Sequence, residues 1–174
     1  MSGDVVVCEV DTPAGNFGAV FTDKGLAMLL FPSQDLAHRI AWVRRWKPQA
    51  RMTAGHGDPR VAQLEQELSG YFAGQVRDFG VPLDMHGTPF QLSVWNEVYR
   101  VGYAQMRSYR EIAQAVRRPT AVRAVGAANG ANPIPIIVPC HRIIGSDGKL
   151  VGYGGGLDMK RRLLELEGVM FAAG

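Results

Sequence analysis

The chain has 174 residues, enough for one large domain or two small ones. Hydrophobic residues make up 47%, which supplies a core and excludes a disordered chain. No apolar run is long enough to span a bilayer, no signal-peptide pattern opens the sequence, and the two cysteines, Cys8 and Cys140, make no disulfide framework, so a cytoplasmic setting away from the membrane is expected.

Val5–Val7, residues 18–22 and residues 26–31 read as short strands. Pro13 to Asn16 and Asp23 to Gly25 form turns between them, which predicts a small antiparallel sheet. Residues 34–47 carry Leu36, Ile40, Val43 and Trp46 at helical spacing. Asp58-Pro59 is an N-cap followed by proline at the first helical position, and the helix it opens places Val61, Leu64, Leu68, Tyr71 and Phe72 on one face. Phe79 to Leu83 reads as a last strand. The composition then shifts, and a domain boundary is expected within 75–88, giving units 1–86 and 87–174.

Thr88-Pro89 opens another capped helix, with Phe90, Val94, Trp95 and Val98 inward. Ser108 and Glu111 have capping-box spacing for a helix from Tyr109 to about Val116. A further helix is expected from Pro119 to about Asn129, rich in small residues (Ala121, Ala124, Gly126) and carrying one long cation, Arg123. Two short helices joined by a tight turn read either as a DNA-binding helix-turn-helix or as a plain helical hairpin. Residues 129–135 are expected to be irregular, since Pro133 and Pro135 preclude helix there. Asp158 reads as the cap of a last helix with Leu163, Leu164 and Leu166 inward and Gly168 as its stop. Glu167 then lies at a helix C-terminus, where the dipole disfavours a carboxylate and a partner is expected. Residues 1–84 hold 8 Lys+Arg against 10 Asp+Glu, and residues 85–174 hold 11 against 6. That basic excess fits a polyanionic partner as well as ordinary surface charge.

Pro139-Cys140-His141-Arg142 follows the apolar run from Ile134 to Val138. A cysteine beside a histidine reads either as an activated thiol, with its pKa lowered by the imidazole, or as a buried structural cysteine. Side chains of adjacent residues in an extended strand point apart, so a direct Cys140–His141 contact needs a turn or a bridging water.

Taken together, these segments resemble the O6-alkylguanine-DNA alkyltransferases. The matching elements are Ser108-Tyr109, Arg123 to Gly126, Asn132-Pro133-Ile134-Pro135, Pro139 to Arg142, Gly152 to Gly156 and Leu163 to Gly168. Gly87 to Gln91 and Val94-Trp95 extend the match, which is dense over 87–168. The resemblance implies an α+β chain: an N-terminal domain of ribonuclease H-like type and a C-terminal helical domain with a helix-turn-helix. It implies duplex DNA carrying O6-alkylguanine as partner, with the base flipped out of the stack, and a monomer acting once per molecule with no cofactor.

On the same resemblance, Cys140 attacks the alkyl group, His141 takes the thiol proton through a water, Glu167 orients His141, and Asn132 braces the active-site loop. Arg123 fills the gap left by the flipped base, and Tyr109 crowds its phosphate. Arg110, Arg118, Ser146 and Gln91 sit at DNA-contact positions, while Ala121, Ala124 and Gly126 permit minor-groove approach. Pro135, Ile143, Tyr153 and Gly154 line the pocket. Gly154 stands where some members have serine, which changes pocket shape but leaves a backbone donor. Cys8, His38, His56 and His86 have no metal-ligand spacing, so no zinc is expected, and Cys8 reads as a strand residue. Competing readings are a non-catalytic alkylated-DNA binder, against which Cys140 stands, a helix-turn-helix regulator with a sensor thiol, and a thiol hydrolase, for which no oxyanion hole is legible.

Overall fold

Cross-strand pairing organises the first half of the chain. In a computed structural model describing residues 3–170, except the side chains of Leu36 and Arg39, β1 (Val5–Thr12) turns through Pro13-Ala14 into β2 (Gly15–Phe21), which pairs with it antiparallel from Val6–Phe21 to Thr12–Gly15. A second turn leads into β3 (Leu26–Leu30), antiparallel to β2. The sequence reading missed β4 (Met52–Ala54), a three-residue strand that runs parallel to β1 and completes the order β3-β2-β1-β4. Three residues carry too little alternation to be read as a strand, so only the pairing defines it. The expected strand at 79–83 is absent apart from a single bridge, Leu83 to Leu26, and backbone bonds from Leu26 N to Pro82 O and from Asp84 N to Leu26 O tie this segment to β3.

α1 (Leu36–Trp46) is capped by Asp35, whose carboxylate accepts from the Ala37 and His38 N–H groups. Val43 enters a core with Val5, Val20, Met28, Leu30 and Ala50, and Trp42 packs at its edge. Ile40, expected inward, is exposed, because the helix meets this core along the Trp42–Val43 face. The expected inward position of Leu36 lies outside the described side chains. α2 (Pro59–Phe72) is capped by Asp58 and buries Leu64, Leu68 and Tyr71. Cys8 is a half-buried β1 residue, its thiol 3.9 Å from the Ala19 carbonyl.

The chain divides into two units, Met1–His86 and Gly87–Gly174. The second is helical. α3 (Pro89–Tyr99) starts in a capping box in which Thr88 accepts from the Gln91 N–H and the Gln91 side chain accepts from the Thr88 N–H. It buries Val94, Trp95 and Val98, and the Trp95 indole N–H donates to the Ala128 carbonyl at 2.7 Å. α4 (Tyr109–Ala115) has the Ser108–Glu111 capping box, and α5 (Val122–Gly130) follows a turn at Arg117, where φ is +58°. α5 begins at Val122, three residues after the expected Pro119, because Arg118 to Ala121 close a turn bonded from Ala121 N to Arg118 O. It also runs on to Gly130, into the stretch expected to be irregular. α6 (Leu157–Leu166) begins after Gly156 at φ +89°; Asp158, expected as the cap, lies in its first turn instead. Among the described residues no helix is long and apolar enough to cross a membrane.

Candidate functional site

Proline punctuation and one asparagine shape the segment that carries Cys140. Asn132 Nδ2 donates to the Val138 carbonyl at 2.8 Å, and Asn132 Oδ1 accepts from the Ile134 N–H at 3.0 Å, so a single side chain closes the loop Asn132–Val138. Inside that loop Ile136 adopts φ +72°, a conformation that is costly for a β-branched residue and typical of over-determined functional segments. The chain then enters a one-turn 3-10 helix, Cys140–Arg142. The expectation of extended backbone at Cys140–His141 is thereby corrected.

Directly after this turn, β6 (Ile143–Ile144) pairs in parallel with β5 (Arg107–Ser108). Ser108 caps α4, so this two-residue ladder sets Tyr109, the first residue of the two-helix unit, near the backbone that follows Cys140. Tyr109 packs over Gly126, where an added Cβ would lie 3.9 Å from the ring. Its hydroxyl donates to the Val151 carbonyl at 3.0 Å. Arg110, Arg118, Arg123, Ala124 and Ser146 are exposed, Ala121 and Gly126 are half-buried, and Gln91 is half-buried with its amide oxygen held by the Thr88 cap.

Behind the nucleophile lies a buried charged cluster. His141 Nε2 is 2.6 Å from Glu167 Oε1, both side chains fully buried. Arg142 donates from Nε to Glu167 Oε2 at 2.9 Å, from a terminal nitrogen to Oε1 at 3.0 Å, and from the other to the Val101 carbonyl at 2.6 Å. The Ala104 N–H adds a bond to Oε2 at 3.1 Å. These donors hold the Glu167 carboxyl at about 2, outweighing the burial that would raise it. An ionised carboxylate only accepts, so His141 carries its proton on Nε2 and its lone pair on Nδ1. Nδ1 is buried and has no hydrogen-bond partner among the described residues. Burial keeps the imidazole below its ordinary pKa against the pull of Glu167, so it is neutral and basic.

Cys140 is 5% exposed. Burial pushes its thiol up to about 11, against the lowering effects of Asn132, Lys160, its own backbone N–H and Tyr153. The sequence reading expected a lowered value; desolvation of the thiolate outweighs its neighbours in the DNA-free protein. Pro135 and Ile143 are buried, Tyr153 is half-buried, and Gly154 is exposed with open space where a side chain would stand.

Sequence reasoning missed Arg142, Lys160 and Asn129. Lys160 is fully buried and donates to the carbonyls of Ile143 (2.6 Å), Val151 (3.1 Å) and Gly152 (3.5 Å), and burial lowers its amine to about 8. Its signal was present: it shares a helical face with Leu163, Leu164 and Glu167 at spacings of three, four and seven. Asn129 is buried on α5 and donates from Nδ2 to the Cys140 carbonyl at 3.3 Å. Among the described residues no group of three or more His, Cys, Asp or Glu is placed to hold a metal ion.

Comparison with known proteins adds independent findings. Residues 89–169 match the model of the 6-O-methylguanine DNA methyltransferase, DNA binding domain, and residues 8–85 match that of the 6-O-methylguanine DNA methyltransferase, ribonuclease-like domain. The chain is 54% identical over 160 residues to the methylated-DNA–protein-cysteine methyltransferase of Mycolicibacterium paratuberculosis, covering 91% of this chain and 89% of that one. It is 41% identical over 152 residues to the inducible enzyme of that name from Bacillus subtilis, covering 87% and 84%. The crystal structure of Mycobacterium tuberculosis OGT in complex with DNA superposes with a TM-score of 0.78 at 40% identity, covering 93% of this chain and 92% of that one.

Proposed function

This chain belongs to the 6-O-methylguanine DNA methyltransferase family, and we propose that it repairs duplex DNA by moving the alkyl group of O6-alkylguanine, and of O4-alkylthymine, onto Cys140. The observation that carries this reading is the buried His141–Glu167 pair, which leaves the Nδ1 lone pair as an acceptor next in sequence to the thiol. A water relays the Cys140 proton to Nδ1, and Glu167 stabilises the imidazolium that forms. The thiolate attacks the alkyl carbon, the carbon–O6 bond breaks, and its electron pair stays on guanine, which takes a proton at N1. A thiol pushed up by burial is a stored nucleophile that becomes reactive as its proton leaves.

DNA docks on the α4–α5 unit through the minor groove. Small residues at Ala121, Ala124 and Gly126 allow close approach, and exposed Arg123 replaces the flipped base. Arg110, Arg118, Ser146 and Gln91 touch the backbone and position the duplex without reading sequence. Pro135, Tyr153 and the backbone at Ile143 and Gly154 receive the base, and Asn132 keeps the Cys140 loop rigid. The protein acts as a cytoplasmic monomer, since one lesion needs one site. The product is a thioether, a poor leaving group, so each molecule acts once.

The test is to incubate the protein with duplex containing O6-methylguanine and to weigh it intact. A gain of one methyl group mapped to Cys140 is expected, in a single burst equal to active protein. In Cys140→Ala the gain disappears while DNA binding remains. Two or more sites repaired per Cys140 would replace the single-use mechanism with true turnover.

A further inference from the structure

Asn129 stands where the DNA-facing helix α5 meets the backbone of the nucleophile, and the chemistry above leaves it without a role. It is 4% exposed, and its Nδ2 donates to the Cys140 carbonyl at 3.3 Å. A carbonyl accepts only from the nitrogen side of an amide, so this bond fixes which way the amide faces. The amide oxygen is thereby committed to the other side, where it is buried and has no partner among the described residues. An unmet buried acceptor costs about 1–3 kcal/mol. The same amide lies beside the Tyr109 hydroxyl, whose pKa it lowers against the effect of burial. An orphan acceptor among Cys140, Tyr109 and α5 is therefore positioned to meet a donor that arrives with the substrate.

The substrate offers one such donor. Alkylation at O6 removes the N1 proton of guanine, so the only N–H groups left on the lesion's base are those of the 2-amino group. Resting on the alkyl-transfer reading, we propose that Asn129 is a base-recognition residue: Oδ1 accepts from the 2-amino group of the flipped base while Nδ2 holds the Cys140 carbonyl. Asn129 thus selects guanine lesions over bases that lack the amino group.

The experiment compares single-turnover methyl transfer from two duplexes, one with O6-methylguanine and one with O6-methylhypoxanthine, which differs only in lacking the 2-amino group. The wild type is expected to react faster with the guanine lesion. Asn129→Leu, nearly isosteric, is expected to lose about five- to tenfold on that lesion and less than about twofold on the other, the size of one hydrogen bond. Equal losses on both would reduce Asn129 to a support for the Cys140 backbone and overturn the proposal. A wild-type preference below about twofold overturns it whatever the variant does. Asn129→Ala, which only removes atoms, is read in the same way where leucine does not fold. Failure of the wild type to take a methyl group from either duplex is a different result: it defeats the alkyl-transfer reading itself and this proposal with it.

Discussion

The two units bury different chemistry. Among the described residues the buried polar or charged side chains of the N-terminal unit come down to Thr22, whereas the C-terminal unit buries Asn129, His141, Arg142, Lys160 and Glu167. The N-terminal core is apolar packing around Val5, Val20, Met28 and Val43, where burial is its own reward at about 25 cal/mol per Å². In the C-terminal unit, burial of three charged groups and a histidine is a cost that only their mutual pairing offsets. The difference teaches where selection has acted on stability and where on reactivity: a charge pair held away from water orients a base in a way that apolar packing cannot.

The sharpest way to break this comparison is to damage both cores. Glu167→Gln leaves Arg142 buried without a counter-charge and His141 without its orienting carboxylate, so it should cost about 3–5 kcal/mol and also slow methyl transfer in the molecules that remain folded. Leu64→Ala in α2 should cost about 2–5 kcal/mol through the cavity it opens, with no change in the transfer rate per folded molecule. Denaturant unfolding alongside single-turnover rates separates the two. A chemical defect in Leu64→Ala as deep as in Glu167→Gln would erase the division of labour.

Within the C-terminal unit, Arg123→Ala separates DNA handling from chemistry. Repair of the lesion in duplex should slow more than reaction with free O6-benzylguanine, because the free base needs no flipping. Equal losses would move Arg123 from the flipping step to the pocket or the fold.

Acid sharpens the contrast more gently. With its carboxyl held at about 2 against an ordinary 4.5, Glu167 contributes stability that is fully present above pH 4.5 and is lost as pH falls toward 2. The unfolding midpoints of wild type and Glu167→Gln should therefore converge across that window. A gap that stays constant would mean that Glu167 is not ionised in the native protein. The smallest effect is expected from Cys8→Ala, which removes a half-buried strand thiol from the other unit and should transfer at the wild-type rate. A large defect there would connect the N-terminal sheet to the chemistry.

What the sequence by itself determined is local. The Thr88–Gln91 and Ser108–Glu111 capping boxes, the turn at Pro13-Ala14 and the Asp58-Pro59 helix start all span two to four residues, and each was legible because the interaction that creates it is written in neighbouring letters. The Pro139–Arg142 segment was legible as a candidate nucleophile for the same reason. What only the tertiary structure decided involves partners far apart in the chain: the Arg142–Glu167 clamp across 25 residues, Lys160 on Ile143 across 17, Asn129 on Cys140 across 11, and β4 recruited parallel to β1. No periodicity encodes these contacts. Burial makes them matter, since a charge or amide out of water must find its partner wherever the fold has brought one, and the sequence alone does not say which groups leave water together.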